Sequence, residues 1–205
     1  MPEHPDGTEQ PDQAEQPDPQ RFRHVLGQFA TGVTVVTSMD GDTPVGFACQ
    51  AFAALSLDPP MVLFCPSKGS GSWPAMEQAG RFCVNVLGEG QREVSQVFGT
   101  RGADKFASVR WTRSEQGLPV LEGVLSWIDC SIEAVHTAGD HYVVIGRVLD
   151  LGTSGDDRPL LFYRGDYTAA DAPQELLASA GPADPELTGA LLETLMSWPR
   201  QQDWI

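Results

Sequence analysis

Residues 45–73 read VGFACQAFAALSLDPPMVLFCPSKGSGSW, and the fold class turns on them. Two apolar, strand-like runs, roughly 44–55 and 61–65, are separated by Asp58-Pro59-Pro60. Proline removes a ladder donor, so that triplet ends one strand before the next begins. A loop of small residues follows, with one Lys and three Ser, and leads into a short helical pattern over 73–79. Ser72 is placed to cap that helix and Gly80 to close it. Strand, loop and brief helix in this order place backbone amides, hydroxyls and a cation beside an apolar wall.

Outward from this stretch the same grammar repeats. Upstream, residues 33–38 (VTVVTS) form a β-branched strand, and Asp40-Gly41 is a hairpin signal. Before it, Asp18-Pro19 opens a helix carrying Phe22, Val25, Leu26 and Phe29 on one face, with Gly32 as its expected end. Downstream come a strand over 82–87, a helical pattern over 91–98 and an irregular stretch over 99–119. Two long strands, about 124–136 and 142–151, are joined at Ala138-Gly139-Asp140, and a short strand over 160–163 leads into Arg164-Gly165-Asp166-Tyr167. Many short strands with brief helices predict a mainly β domain, a barrel or sandwich, over 18–170. Residues 1–17, rich in Pro, Glu, Gln and Asp, are expected to be a disordered acidic tail. Residues 171–205 are expected to be an acidic extension with one helical pattern at Leu187, Leu191, Leu195 and Trp198.

The formal net charge of −15 belongs mainly to those ends. Residues 21–170 hold 16 acids and 12 bases, with no basic stripe to neutralise phosphates, which argues against a nucleic-acid partner. No apolar run approaches the roughly 20 residues of a membrane span, and the N-terminus lacks a signal-peptide pattern, so a cytoplasmic protein is expected. Cys49, Cys65, Cys83 and Cys130 are widely spaced among apolar neighbours and read as reduced core thiols. His4, His24, His136 and His141 are too dispersed for a metal site.

Neither a P-loop, nor a Rossmann glycine fingerprint, nor a nucleophile elbow occurs, so an enzymatic reading needs a borrowed reactive group. The loop Pro66, Ser67, Lys68, Gly69, Ser70, Gly71, Ser72 is the best anion site in the chain, through amides, hydroxyls and the Lys68 charge. An ordinary Gly/Ser loop with a capping serine fits the same residues. Phe47, Ala48, Cys49, Gln50, Ala51 and Phe52 put small side chains between two aromatics. A planar ligand could lie along such a strand, its pyrimidine edge matched by strand amides; a plain buried strand also fits. His141 enters a strand from a turn, as a ligand partner or as a surface histidine beside Asp140. Tyr163, Arg164, Gly165, Asp166 and Tyr167 combine aromatic faces with a cation, suiting a nucleotide or an exposed Arg–Asp pair.

Taken in order, FRHVLGQFATGVTVVTS, the 45–73 stretch, RFCVNVL, GDHYVVIGRV and LLFYRGDY resemble the short-chain flavin reductase family over about residues 21–168. These are reductase components of two-component flavin-dependent monooxygenases. GFACQ, VLFCP and PLLFYRGDYT are most similar to the branch serving the actinobacterial steroid-ring hydroxylase. The resemblance implies a homodimeric split β-barrel of the FMN-binding flavin reductase type, with flavin near the subunit interface. It implies FMN or FAD as cofactor, NADH as reductant, and a separate flavin-dependent oxygenase as partner, reached by diffusing reduced flavin. Carried over by residue, Ala48, Cys49, Gln50 and Ala51 line the flavin, and Phe64, Cys65 and the 66–72 loop hold its ribityl and phosphate, with Lys68 and Ser72 as phosphate partners. Gly46, Phe47, Phe52, Trp73 and Asn85 complete the flavin set. His141 lies near the nicotinamide as the catalytic position, and Tyr163, Arg164, Gly165, Asp166 and Tyr167 close over the nicotinamide nucleotide. No metal is implied. Many members carry Thr-Ala-Asn-Ser where this chain has Ala48-Cys49-Gln50-Ala51, so contacts there are expected from backbone. The rival readings are a non-catalytic flavin- or haem-binding module on the same barrel, and a pyridoxamine-phosphate oxidase.

Overall fold

The structure is a computed structural model that describes residues 17–102, 104–155 and 158–170. The expected acidic tail, residue 17 aside, and the expected C-terminal helix at Leu187 to Trp198 lie outside the described residues. Helix α1, Pro19–Leu26, is capped by the Asp18 carboxylate, which accepts the Arg21 amide at 2.9 Å. It stops at Gly27, short of the expected Gly32, where a poor helix former meets a chain already turning. Its apolar face stays open: Phe22, Val25 and Leu26 are more than half exposed, and Phe29 lies beyond the helix at 77 %.

The strands are β1 Thr31–Gly32, β2 Thr34–Asp40, β3 Thr43–Cys49, β4 Phe52–Leu57, β5 Pro60–Phe64, β6 Arg81–Val86, β7 Trp111–Arg113, β8 Pro119–Leu121, β9 Ser126–Ala138, β10 His141–Thr153, β11 Leu160–Tyr163 and β12 Asp166–Ala169. Helix α2, Trp73–Ala79, precedes β6, and α3, Arg92–Gly99, follows it. Seven strands form one sheet in the order β3-β2-β6-β9-β10-β5-β4. Strands β1, β11 and β12 form a second, three-stranded sheet, and β7–β8 a small hairpin.

The large sheet is not closed by hydrogen bonds into a barrel. Its two edges, β3 and β4, are joined by Gln50-Ala51, so the sheet opens where its ends meet in sequence. The single strand expected over 44–55 is therefore two strands. β3 pairs with β2 and β4 with β5, and the chain changes partners at residues 50 and 51. Strand β4 runs along its edge with Ala53, Ala54, Leu55 and Leu57 exposed. Part of the stretch expected to be irregular, 99–119, is ordered as β7 and the start of β8, turned at Gly117 with φ 80°. Arg164 (φ 51°) and Gly165 (φ 87°) make the two-residue turn of a β11–β12 hairpin, so Asp166 and Tyr167 lie on a strand.

The core beneath β3 is aromatic. Phe64 and Phe82, both fully buried, pack with ring centroids 4.7 Å apart, and Phe64 also meets Phe47 at 6.2 Å and Trp73 at 6.1 Å. A second cluster, around Val33, Val35, Leu87, Phe98 and Val124, supports α3 and the other side of β3. All four cysteines are free. Burial pushes the Cys49 thiol up to about 11 and Cys130 to about 12, so these are unreactive core groups.

Candidate functional site

A groove of about 1340 Å³ runs along β3, bounded by the 65–72 loop, by α3 and the chain after it, and by His141, Phe162 and Tyr167. Drug-sized ligands occupy pockets of roughly 300–1,000 Å³, so this one has room for more than one ring system.

Strand β3 forms the floor because it is an edge. The Gly46 carbonyl points away from β2 and accepts two hydrogen bonds, from Ser72 Oγ at 2.9 Å and Lys105 Nζ at 3.0 Å. Residues two apart along a strand direct their backbone groups to the same side. The Ala48 amide and carbonyl therefore also face the unpaired edge. Gly46 has no room for a side chain: an added Cβ would lie 2.9 Å from the Val36 carbonyl oxygen and 3.1 Å from Phe98 Cε1.

Of the residues singled out in the sequence, Gly46, Phe47, Ala48, Cys49, Gln50 and Ala51 line the groove, as do Cys65, Ser67, Gly69, Ser70, Gly71 and Ser72. His141, bridged to Ser67 of that loop, and Tyr167 also line it. The expected cap at α2 is not made, because the Ser72 hydroxyl donates to Gly46 instead. Ser67 Oγ accepts the Gly69 amide at 3.2 Å, which folds the loop on itself. Lys68 turns outward, its ammonium 5.6 Å from the centre of the Tyr142 ring, and is not on the groove wall. Phe64, Pro66 and Trp73 are buried behind the wall, and Phe52 packs against that same core. Among these, Trp73 Nε1 is buried with no hydrogen-bond partner.

Asn85 is not on the groove either. It is fully buried, its amide donating to the Val35 carbonyl and Thr37 Oγ1 and its oxygen accepting the Leu121 amide. With those bonds made, it serves as an internal tie between β2, β6 and β8. From the segment 163–167 only Tyr167 reaches the groove, its hydroxyl 3.0 Å from Ser95 Oγ. Arg164 instead donates to Gln28 Oε1 at 2.7 and 2.9 Å and stacks on Tyr163, and Asp166 pairs with Arg92 at 3.2 Å.

His141 opens β10 directly after the Gly139-Asp140 turn. Its Nδ1 is 2.7 Å from Asp140 Oδ1, which leaves Nε2 as the ring nitrogen available to a ligand. The His141 ring also holds the Asp140 carboxyl below the usual carboxylate range. The loop and β10 are stitched together by Lys68 N donating to Asp140 O and Tyr142 N to Pro66 O, both 2.9 Å.

Two cations on the wall were not singled out in the sequence. Lys105 is half-buried, bonded to Gly46 O and to Phe98 O at 2.9 Å, and desolvation lowers its pKa. Arg101 lies across the groove against Gly69. The signal available for both was a pair of cations beside Phe106 in a loop without periodicity. The fit to a flavin rests on this donor set. An edge strand offers a peptide edge to a ring, hydroxyls and a guanidinium offer donors to a phosphate, and small residues let the ring approach.

Among the described residues no group of His, Cys, Asp or Glu could hold a metal ion, and no helix is long and apolar enough to cross a membrane.

The flavin reductase like domain family matches residues 26–171. The chain is 59 % identical over 153 residues to the reductase subunit HsaB of a flavin-dependent monooxygenase from Rhodococcus jostii, covering 75 % of this chain and 78 % of that one. A solved structure described as nitrilotriacetate monooxygenase component B from Mycobacterium thermoresistibile superposes with a TM-score of 0.73 at 53 % identity, over 80 % of this chain and 90 % of that one. A Streptomyces globisporus NADH:FAD oxidoreductase, solved with NAD and FAD fragments, gives a TM-score of 0.71 at 33 % identity, over 78 % and 98 %. A seven-stranded open sheet with its groove along an edge, and relatives of this similarity over most of their length, lead to one assignment: the chain belongs to the family of flavin reductase like domains.

Proposed function

We propose that this protein is an NADH-dependent flavin reductase that provides reduced FMN or FAD to a separate flavin-dependent hydroxylase of an aromatic or steroid substrate. The observation that carries this reading is one groove lined by β3, the 65–72 loop, His141 and Tyr167, segments far apart in the chain. A flavin held along β3 and the 66–72 loop would supply the hydride acceptor, its N5, for hydride from nicotinamide C4. The protein's part is orientation and exclusion of water, which needs no side-chain nucleophile. The free edge of β3 at Ala48 would align the ring, and the 66–72 loop would face the phosphate side. His141, held by Asp140 beside Ser67, would offer Nε2 to the nicotinamide, and Tyr167, held by Ser95, walls the groove on the α3 side. The names of the relatives, a monooxygenase reductase subunit and an NADH:FAD oxidoreductase, support the same reading.

The test is loss of NADH absorbance with added FMN or FAD and no organic substrate. Absence of flavin-dependent oxidation would sink the proposal, and flavin binding without oxidation would favour a storage module. In the same assay His141→Ala is expected to raise KM for NADH roughly 5- to 10-fold, the worth of one hydrogen bond, with flavin affinity little changed. Equal losses in both would remove the nicotinamide role. The open apolar faces of α1 and β4 support a homodimer, which sedimentation at micromolar concentration checks.

A further inference from the structure

Resting on the flavin reading above, we propose that Arg101 is the residue that selects a phosphorylated flavin, by meeting its terminal phosphate across the 67–72 loop. Arg101 lies on the groove wall with Ser67, Gly69, Ser70 and Ser72. Its guanidinium packs onto the loop backbone: a Cβ added to Gly69 would be 2.8 Å from Arg101 Nη2, with Ser67 Oγ 3.7 Å from the same point. Glycine at 69 is what lets the fork come so close.

Several other donors on this wall are already engaged. Ser72 Oγ donates to Gly46 O, Lys105 donates to two carbonyls, and His141 is paired with Asp140. Lys68, the cation within the loop, points to Tyr142 on the outer side. Arg101, by contrast, makes no ion pair among the described residues, and Asp104, the carboxylate on the wall, does not engage it. A guanidinium presents a planar fork that matches phosphate oxygens and cannot be deprotonated near neutrality. An unpaired guanidinium over a small-residue loop is thus the charge the groove keeps for an anion. Its loop is anchored from both sides, by Thr100 Oγ1 donating to Gln96 O at 2.9 Å and by Lys105 reaching Phe98 O.

FMN and riboflavin share the ring and ribityl chain and differ only in the phosphate, so their affinities isolate this contact. Flavin fluorescence quenching of the full chain would be titrated with each, for the parent, Arg101→Gln and Lys68→Gln. The parent is expected to prefer FMN. Arg101→Gln should weaken FMN roughly 10- to 100-fold, the range of a hydrogen bond to a charged group, and leave riboflavin unchanged. Lys68→Gln should keep the parent preference. Arg101 is exposed, so the variant is expected to fold, and an unchanged melting temperature confirms it. An Arg101→Gln variant that retains the FMN-over-riboflavin ratio overturns the assignment, as does collapse of that ratio in Lys68→Gln. A parent that binds both flavins equally overturns it while leaving the flavin reading intact. A parent that binds neither overturns both.

Discussion

Valine in place of Gly146 is expected to leave little folded protein at room temperature. Gly146 sits mid-strand in β10, paired with Ile132 on β9 and Val62 on β5. A Cβ there would overlap Phe82 Cζ, and it would lie 2.8 Å from Phe82 Cε1 and 3.2 Å from Cys130 Cβ. The ring cannot swing aside, because Phe82 is fully buried against Phe64, which is itself wedged by Phe47 and Trp73. Overpacking of this kind costs about 1–3 kcal/mol for added methylenes and more where neither neighbour can yield, against a total stability of roughly 5–15 kcal/mol. The urea midpoint of Gly146→Ala should fall clearly, and Gly146→Val should fall further. Phe82→Leu introduced with Gly146→Ala should recover part of the loss, giving a coupling above about 0.5 kcal/mol. A Gly146→Val protein melting within a degree or two of its parent would mean that the β10 glycine is not set by Phe82.

Asp129→Asn is expected to stabilise the protein at neutral pH and to abolish part of its pH dependence. Asp129 lies on β9 between Cys83 on β6 and Asp150 on β10, fully buried, with neither carboxylate oxygen hydrogen-bonded. Burial pushes its pKa up; the Ser114 and Cys83 side chains beside it offset part of that, and the Asp150 charge adds to it. The native state therefore holds the proton more tightly than the unfolded chain, whose Asp titrates near about 3.9. Below that value both states are protonated and the group costs nothing. As pH rises through the raised native value, folding must leave a charge behind in the core, and stability falls to a lower plateau. Asparagine removes the charge. The gain should approach about 1–3 kcal/mol above the native pKa and vanish below about pH 4. Denaturation at several pH values from 4 to 8 reads this directly. A variant less stable than its parent at pH 8 would show that the carboxylate is compensated.

Legibility from sequence followed the range of the interaction. The Asp40-Gly41 turn and the Gly139-Asp140 turn were readable because turn chemistry is local, and β2–β3 and β9–β10 form the hairpins those signals imply. Helix α2 was readable from its glycine stop at Gly80, which adopts φ 66°. The break at Gln50-Ala51 was not, because the apolar run passes through it and only the change of partner strand divides it. Ser72 was read as the local cap of α2 and Asn85 as part of the flavin set, but in the fold a distant carbonyl takes the Ser72 hydroxyl, and backbone groups of β2 and β8 take the Asn85 amide. Arg101 and Lys105 sit in a loop with no period to read, and reach the groove only because α3 carries that loop to β3.

Strand β4 gives this chain a seam. It closes the large sheet on one side with unpaired backbone and with Leu55 and Leu57 in water, Leu57 at 68 % exposure, and nothing charged interrupts FAALSL. Edges of that composition are usually blunted by lysine, proline or a covering element. Among the described residues no element covers it, which leaves the seam open to a second copy. Where the proposed second copy pairs with this seam, melting temperatures and half-lives are expected to shift with protein concentration by mass action, so that a dilute enzyme assay and a concentrated storage stock would sample different states of the same polypeptide.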